Sequence, residues 1–92
     1  MGVTLTGQLI CKRADDASRV QAALDALFRL TRGEPGCLSF EVVPTEDPLV
    51  WQVDETFVDA AAFEAHQTRA NNSNWAAQTA GIERKYTITG LT

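Results

Sequence analysis

Polar and apolar residues alternate from Val3 to Cys11, with Val3, Leu5, Gly7, Leu9 and Cys11 on one side and Thr4, Thr6, Gln8 and Ile10 on the other. That two-residue period predicts a strand. The period then lengthens: Val20, Leu24, Leu27 and Phe28, flanked by Ala17 and Ala23, recur at helical spacing, with Asp15, Asp16 and Ser18 as N-cap acceptors. The helix runs to about Arg32, where Gly33-Glu34-Pro35-Gly36 supplies a stop and a turn. Alternation returns over Cys37 to Val43, placing Leu38, Phe40 and Val42 together, and Pro44 to Pro48 forms a short acidic turn. In a third strand, Leu49 to Val58, Trp51, Val53, Glu55 and Phe57 oppose Gln52, Asp54 and Thr56. Asp59 caps a second helix with Phe63, His66, Gln67 and Ala70 as its buried stripe. Asn71, Asn72 and Ser73 interrupt it. A short helical stretch carries Trp75, Ala76 and Thr79 as far as Gly81, and Ile82 to Leu91 closes the chain as a strand aligning Ile82, Arg84, Tyr86 and Ile88.

The order βαββαβ predicts an α+β fold of the ferredoxin-like kind, an antiparallel sheet with the first strand between the third and fourth. Both helices then cover one face of the sheet. The other keeps Thr4, Thr6, Gln8, Gln52, Asp54, Thr56, Thr87 and Thr89. Polarity alone leaves two readings of that face, solvated or covered by a second copy.

Ninety-two residues without linkers or repeats make one domain, residues 1–92. A chain of this size buries only roughly two-thirds of its unfolded surface. A net charge of -4, with eight scattered basic residues, argues against nucleic-acid or anionic-membrane binding. No apolar run reaches the roughly 20 residues of a membrane span, and the first residues carry no leader pattern, so the expected location is the cytoplasm. Cys11 and Cys37 are expected as free thiols, since on strands joined by a helix they would stand about 25 to 30 Å apart, far beyond disulfide reach.

The only histidine, His66, lies about 10 Å into its helix from Asp59, and Glu55 about 13 Å back down the preceding strand. The two come to similar depth on facing elements. A carboxylate accepting from one imidazole nitrogen would fix the tautomer and raise the basicity of the other, as a general base needs; a packed structural histidine is the plainer alternative. Gly7 leaves a hole on the inner face of a central strand, or admits a close neighbour, between Val53 and Tyr86 with Trp51 and Arg84 a step away. Trp75, after the Asn-rich break, is a candidate pocket wall. Asn72 and Asn74 serve either as turn and cap residues or as donors to a substrate oxyanion, and Arg69 is either solvated or a partner for an anion. One histidine and two distant cysteines cannot close a zinc site, and neither a G-x-G-x-x-G loop nor a G-x-S-x-G elbow occurs.

Glu34-Pro35-Gly36-Cys37-Leu38-Ser39-Phe40-Glu41-Val42, the strand end Glu55-Thr56-Phe57 and Phe63-Glu64-Ala65-His66-Gln67 resemble the antibiotic biosynthesis monooxygenase family of dimeric α+β barrels over nearly the whole chain. The resemblance implies a homodimer paired through its sheet faces. It also implies an enzyme that oxygenates a small aromatic or polyketide-like hydroxyl compound with molecular oxygen and no cofactor or metal. On that reading His66 is the base and Glu55 its orienting partner, Trp75, Tyr86 and Trp51 wall the pocket, and Asn72 supports the oxyanion. Haem-degrading relatives use an asparagine on the first strand and a tryptophan on the second helix; Leu9 and His66 stand near those places, so that pattern is not met. A non-catalytic small-molecule-binding barrel and a small-metabolite isomerase are the alternatives, because a fold hosts many chemistries.

Overall fold

Four strands form one antiparallel sheet in the order β2-β3-β1-β4: β1 is Val3–Ile10, β2 Cys37–Pro44, β3 Val50–Phe57 and β4 Glu83–Thr89. The helices are α1 (Ala14–Arg32), α2 (Ala60–Asn71) and α3 (Asn74–Gln78). This computed structural model describes residues 2–91, so the two end residues of the domain expected over 1–92 lie outside it. The α+β ferredoxin-like order is the one that the alternation predicts, including the central place of β1.

Packing follows the inward stripes. Val3, Leu5 and Leu9 of β1, Val53 and Phe57 of β3, and Val20, Leu24 and Leu27 of α1 are all buried in one core. Such side chains each contribute about 1.5–3 kcal/mol through removal from water. The opposite face is polar as expected, and its neighbours are ordered across strands: Thr6 pairs in register with Asp54, and its hydroxyl donates to Asp54 Oδ1 at 2.6 Å.

Two local expectations are corrected. Leu38 does not join Phe40 and Val42 in the core but is 62% exposed. Cys37 pairs with Phe57 and Ser39 with the adjacent Thr56, so Leu38 is the extra residue of a bulge that breaks the strict alternation. At the start of α1 the N-cap position is Arg13, whose side chain makes no cap. Asp16 lies inside the helix and reaches back to accept from the Lys12 amide at 3.2 Å. At α2 the expectation holds: Asp59 accepts from the Ala62 amide at 2.8 Å. Cys11 and Cys37 are both free thiols. Among the described residues no helix is long and apolar enough to cross a membrane.

Candidate active site

The alternation of β3 places a carboxylate where its neighbours Val53 and Phe57 are apolar, leaving Glu55 only 6% exposed. Helical spacing on α2 brings Phe63, His66 and Ala70 down onto the same layer. The His66 ring is 3% exposed and lies tilted against Phe57, centroids 4.9 Å apart, with Phe40 at 5.8 Å.

Its orienting partner comes from a different part of the chain than the sequence suggests. His66 Nδ1 lies 2.8 Å from Glu34 Oε1, in the turn after α1, whereas His66 Nε2 stands 3.6 Å from Glu55 Oε1, beyond ordinary hydrogen-bond length. With Nδ1–H donating to the Glu34 carboxylate, the Nε2 lone pair faces Glu55. Arg69, one turn beyond His66, is not solvated as the plainer expectation had it. Its Nε donates to Glu34 Oε2 at 2.6 Å and a terminal nitrogen to Thr31 Oγ1 at 2.9 Å. The turn sits tight against α2: a Cβ built on Gly36 would come within 2.2 Å of Ala62 Cβ.

Burial governs the ionisation of the pair. It lowers the pKa of His66, outweighing the Glu34 carboxylate that favours the charged ring, while Arg69 lowers it further. Burial pushes Glu55 up to about 7, with the Glu34 charge adding to the effect. The site near neutral pH thus holds a neutral imidazole beside a carboxyl group poised between its two forms. Glu55 Oε1 is shut off from solvent and has no hydrogen-bond partner among the described residues.

These groups open onto a cavity of about 220 Å³ whose wall includes Glu55, His66, Trp75, Tyr86, Arg84 and Leu27. Burial pushes the Tyr86 phenol up to about 12. Arg84 anchors α3 from below: its terminal nitrogens donate to the carbonyls of Thr79 and Ile82 at 3.2 and 2.9 Å and to Thr79 Oγ1 at 2.6 Å. The Thr79 hydroxyl in turn donates to the Trp75 carbonyl at 2.7 Å, fixing the helix that carries the indole.

Of the residues singled out in the sequence, His66, Glu55, Trp75 and Tyr86 meet at this cavity, and Trp51 and Asn72 do not. Trp51 is buried further along β3 and borders a separate shallow groove with Ala14, Ala17 and Pro48. Asn72 caps α2, its side-chain amide donating to the Thr68 carbonyl at 2.8 Å; the neighbouring Asn71 lines the cavity instead. Nor does Gly7 leave a hole, because the β4 backbone occupies the space: a Cβ there would fall 2.0 Å from the Lys85 carbonyl oxygen. The sequence places Glu34 only in the turn and in the stretch that resembles the family, and it marks neither Glu34 nor Thr31 as a partner of the α2 side chains. Arg69, three residues after His66 and so on the same helix face, is a signal that a carboxylate could lie nearby. Among the described residues no group of three His, Cys, Asp or Glu side chains is arranged to hold a metal ion.

The sequence profile of the antibiotic biosynthesis monooxygenases matches residues 12–78. The chain belongs to this family. None of the curated proteins matches it by sequence. Among solved structures, a putative antibiotic biosynthesis monooxygenase from Nitrosomonas europaea is 22% identical, with 98% of this chain and 97% of that one covered and a TM-score of 0.79. A protein of Mycobacterium tuberculosis is 21% identical over 100% and 96% of the two chains, with a TM-score of 0.76. SnoaB, a cofactor-independent oxygenase from Streptomyces nogalater, is 11% identical over 96% and 90%, with a TM-score of 0.77. At these identities the likeness is one of fold, and it spans the whole antibiotic biosynthesis monooxygenase domain.

Proposed function

We propose that the protein is a cofactor-independent monooxygenase acting on a small aromatic or polyketide-like hydroxyl compound, with His66 as its base. The observation that carries this reading is the imidazole held at Nδ1 by Glu34, 2.8 Å away, with Nε2 3.6 Å from Glu55 Oε1 and both His66 and Glu55 lining the cavity. Nε2 takes a proton from the substrate, leaving a phenolate or carbanion rich enough in electrons to reduce oxygen directly. For an anthrone-like methylene, one oxygen atom becomes the new carbonyl and the other leaves as water with the two hydrogens, so no further reductant is required. Trp75 and Tyr86 supply apolar walls that keep water from the anion. SnoaB, named as a cofactor-independent oxygenase, lends support through shared fold.

Oxygen uptake with a panel of phenols, quinols and anthrones tests the reading. Uptake without added flavin or metal is expected, with the chemical step reduced about 10²- to 10⁴-fold in His66→Gln and binding little changed. Ligands that bind without oxygen uptake would favour a non-catalytic binding protein instead, and a fully active His66→Gln protein would remove His66 as base. A reducing, cytoplasmic setting suits the two free thiols.

A further inference from the structure

His66 and its Glu34 anchor account for a base but leave Glu55 without a task. A buried carboxyl in an otherwise apolar row is costly to the fold, and one whose Oε1 has no partner is unusual in a well-packed interior. Among the described residues no cation relieves it. Arg69 is engaged with Glu34 and Thr31, while the terminal nitrogens of Arg84 are engaged with Thr79 and Ile82. The other polar groups of the cavity, His66, Gln67 and Asn71 from α2, Trp75 from α3 and Tyr86 from β4, carry no positive charge while the imidazole is neutral, and the Glu34 carboxylate behind His66 adds a negative one. The surroundings therefore favour the protonated acid at Glu55.

We propose that Glu55 is the acid that works with the His66 base, donating a proton to the oxygen of an enolisable ketone while Nε2 removes the hydrogen from the adjacent carbon. The proposal rests on the reading of His66 given above and narrows the substrate to compounds able to hold a ketone beside an acidic C–H. A phenol needs a base alone, whereas a ketone needs both groups at once. In the step the C–H bond breaks, its hydrogen passes to Nε2, and its electron pair forms the C=C bond. The carbonyl oxygen takes the carboxyl proton, and the enol is released beside an imidazolium and a carboxylate. There is no change in oxidation state. Nε2 and Oε1 stand 3.6 Å apart, so once the two side chains close to hydrogen-bond distance a proton passed from the imidazolium to the carboxylate restores the neutral imidazole and the acid. Of the two carboxyl oxygens only Oε1 is closed off without a partner, so Oε2 is the one left to meet a bound molecule. One oxygen receives the proton and the other delivers it, the carboxyl group turning about its Cγ–Cδ bond between turnovers. Molecular oxygen, when present, draws its electrons from the enol so formed.

The test is anaerobic. Neutral cyclic ketones such as 2-acetylcyclohexanone are followed by the ultraviolet absorbance of the enol, with Trp75 fluorescence reporting binding. The wild-type protein should accelerate enolisation, and Glu55→Gln should slow it by about 10²-fold or more without loss of binding. The wild-type rate should fall as pH rises through about 7, and that limb should be missing in Glu55→Gln. Titration of the Glu55 carboxyl by carbon NMR should place its ionisation in the same range. A carboxylate ionised throughout, a Glu55→Gln protein as fast as wild type, or a wild type that accelerates none of the ketones would overturn the assignment. Should oxygen uptake on phenols persist and depend on His66 while ketone enolisation is absent, Glu55 alone loses its role. Full enolisation in His66→Gln would instead remove the base.

Discussion

Replacing Glu55 by glutamine should disable the site and at the same time make the fold more stable in alkaline solution. The folded pKa of Glu55 is raised from 4.5 to about 7, so its contribution is fully present below the lower value and is lost as pH rises through the upper one. At about 1.4 kcal/mol per unit, that difference means the folded chain forgoes on the order of 3 kcal/mol by ionising a buried group. Glutamine keeps the length and cannot ionise, but its buried amide costs about 1 kcal/mol where partners are lacking. The net gain at about pH 8 is then on the order of 2 kcal/mol, or roughly 10 °C in melting temperature for a chain of this size. At about pH 5 the wild-type carboxyl is neutral too, and the advantage should vanish. The lowered pKa of His66 acts in the opposite sense, its stability lost as pH falls below 6.5, but both proteins carry that ring and it drops out of the comparison. Thermal unfolding followed by circular dichroism at the two pH values gives the answer. An equal difference at both, or a variant less stable than wild type in alkali, would show that Glu55 is not held protonated by burial.

Gly7→Ala should destabilise the protein by about 3 kcal/mol or more, because the new methyl meets the Lys85–Tyr86 backbone and β4 must move off β1. An unfolding free energy from urea titration within about 0.5 kcal/mol of wild type, at unchanged slope, would contradict the close approach. We further expect a homodimer formed through the Thr-rich face of the sheet, motivated by its ordered but helix-free row of Thr4, Thr6, Gln8 and Thr87. Sedimentation that finds only monomer at micromolar concentration would refute it.

The fold was legible because its signals are local. Alternation in β1 and β3 and the helical period of α1 each depend on residues within one element, and short turns leave the sheet little choice of order. The bulge at Leu38 escaped because one inserted residue changes the phase without changing composition. The site was half legible for the same reason. Glu55 and His66 belong to consecutive elements, so their depth follows from counting along a strand and a helix. Glu34 lies 32 residues from His66, and its approach depends on how the turn after α1 packs against α2, a tertiary fact with no periodic trace. Trp51 misled because the apolar face of a strand is long: its inward direction was right, but its position along β3 carries it past the end of the cavity.

The contact of Gly36 with Ala62 has a consequence for how the chemistry could be tuned. The gap between the Glu34 turn and α2 is set by a missing carbon atom, since a side chain at position 36 would run into the Ala62 methyl. That spacing lies outside the cavity, but it belongs to the same turn that carries Glu34 to within 2.8 Å of Nδ1. If His66 is the base proposed above, small changes of bulk at positions 36 and 62 should alter its strength while leaving the lining of the cavity untouched. On that reading affinity and reactivity, which share one small domain, could drift independently.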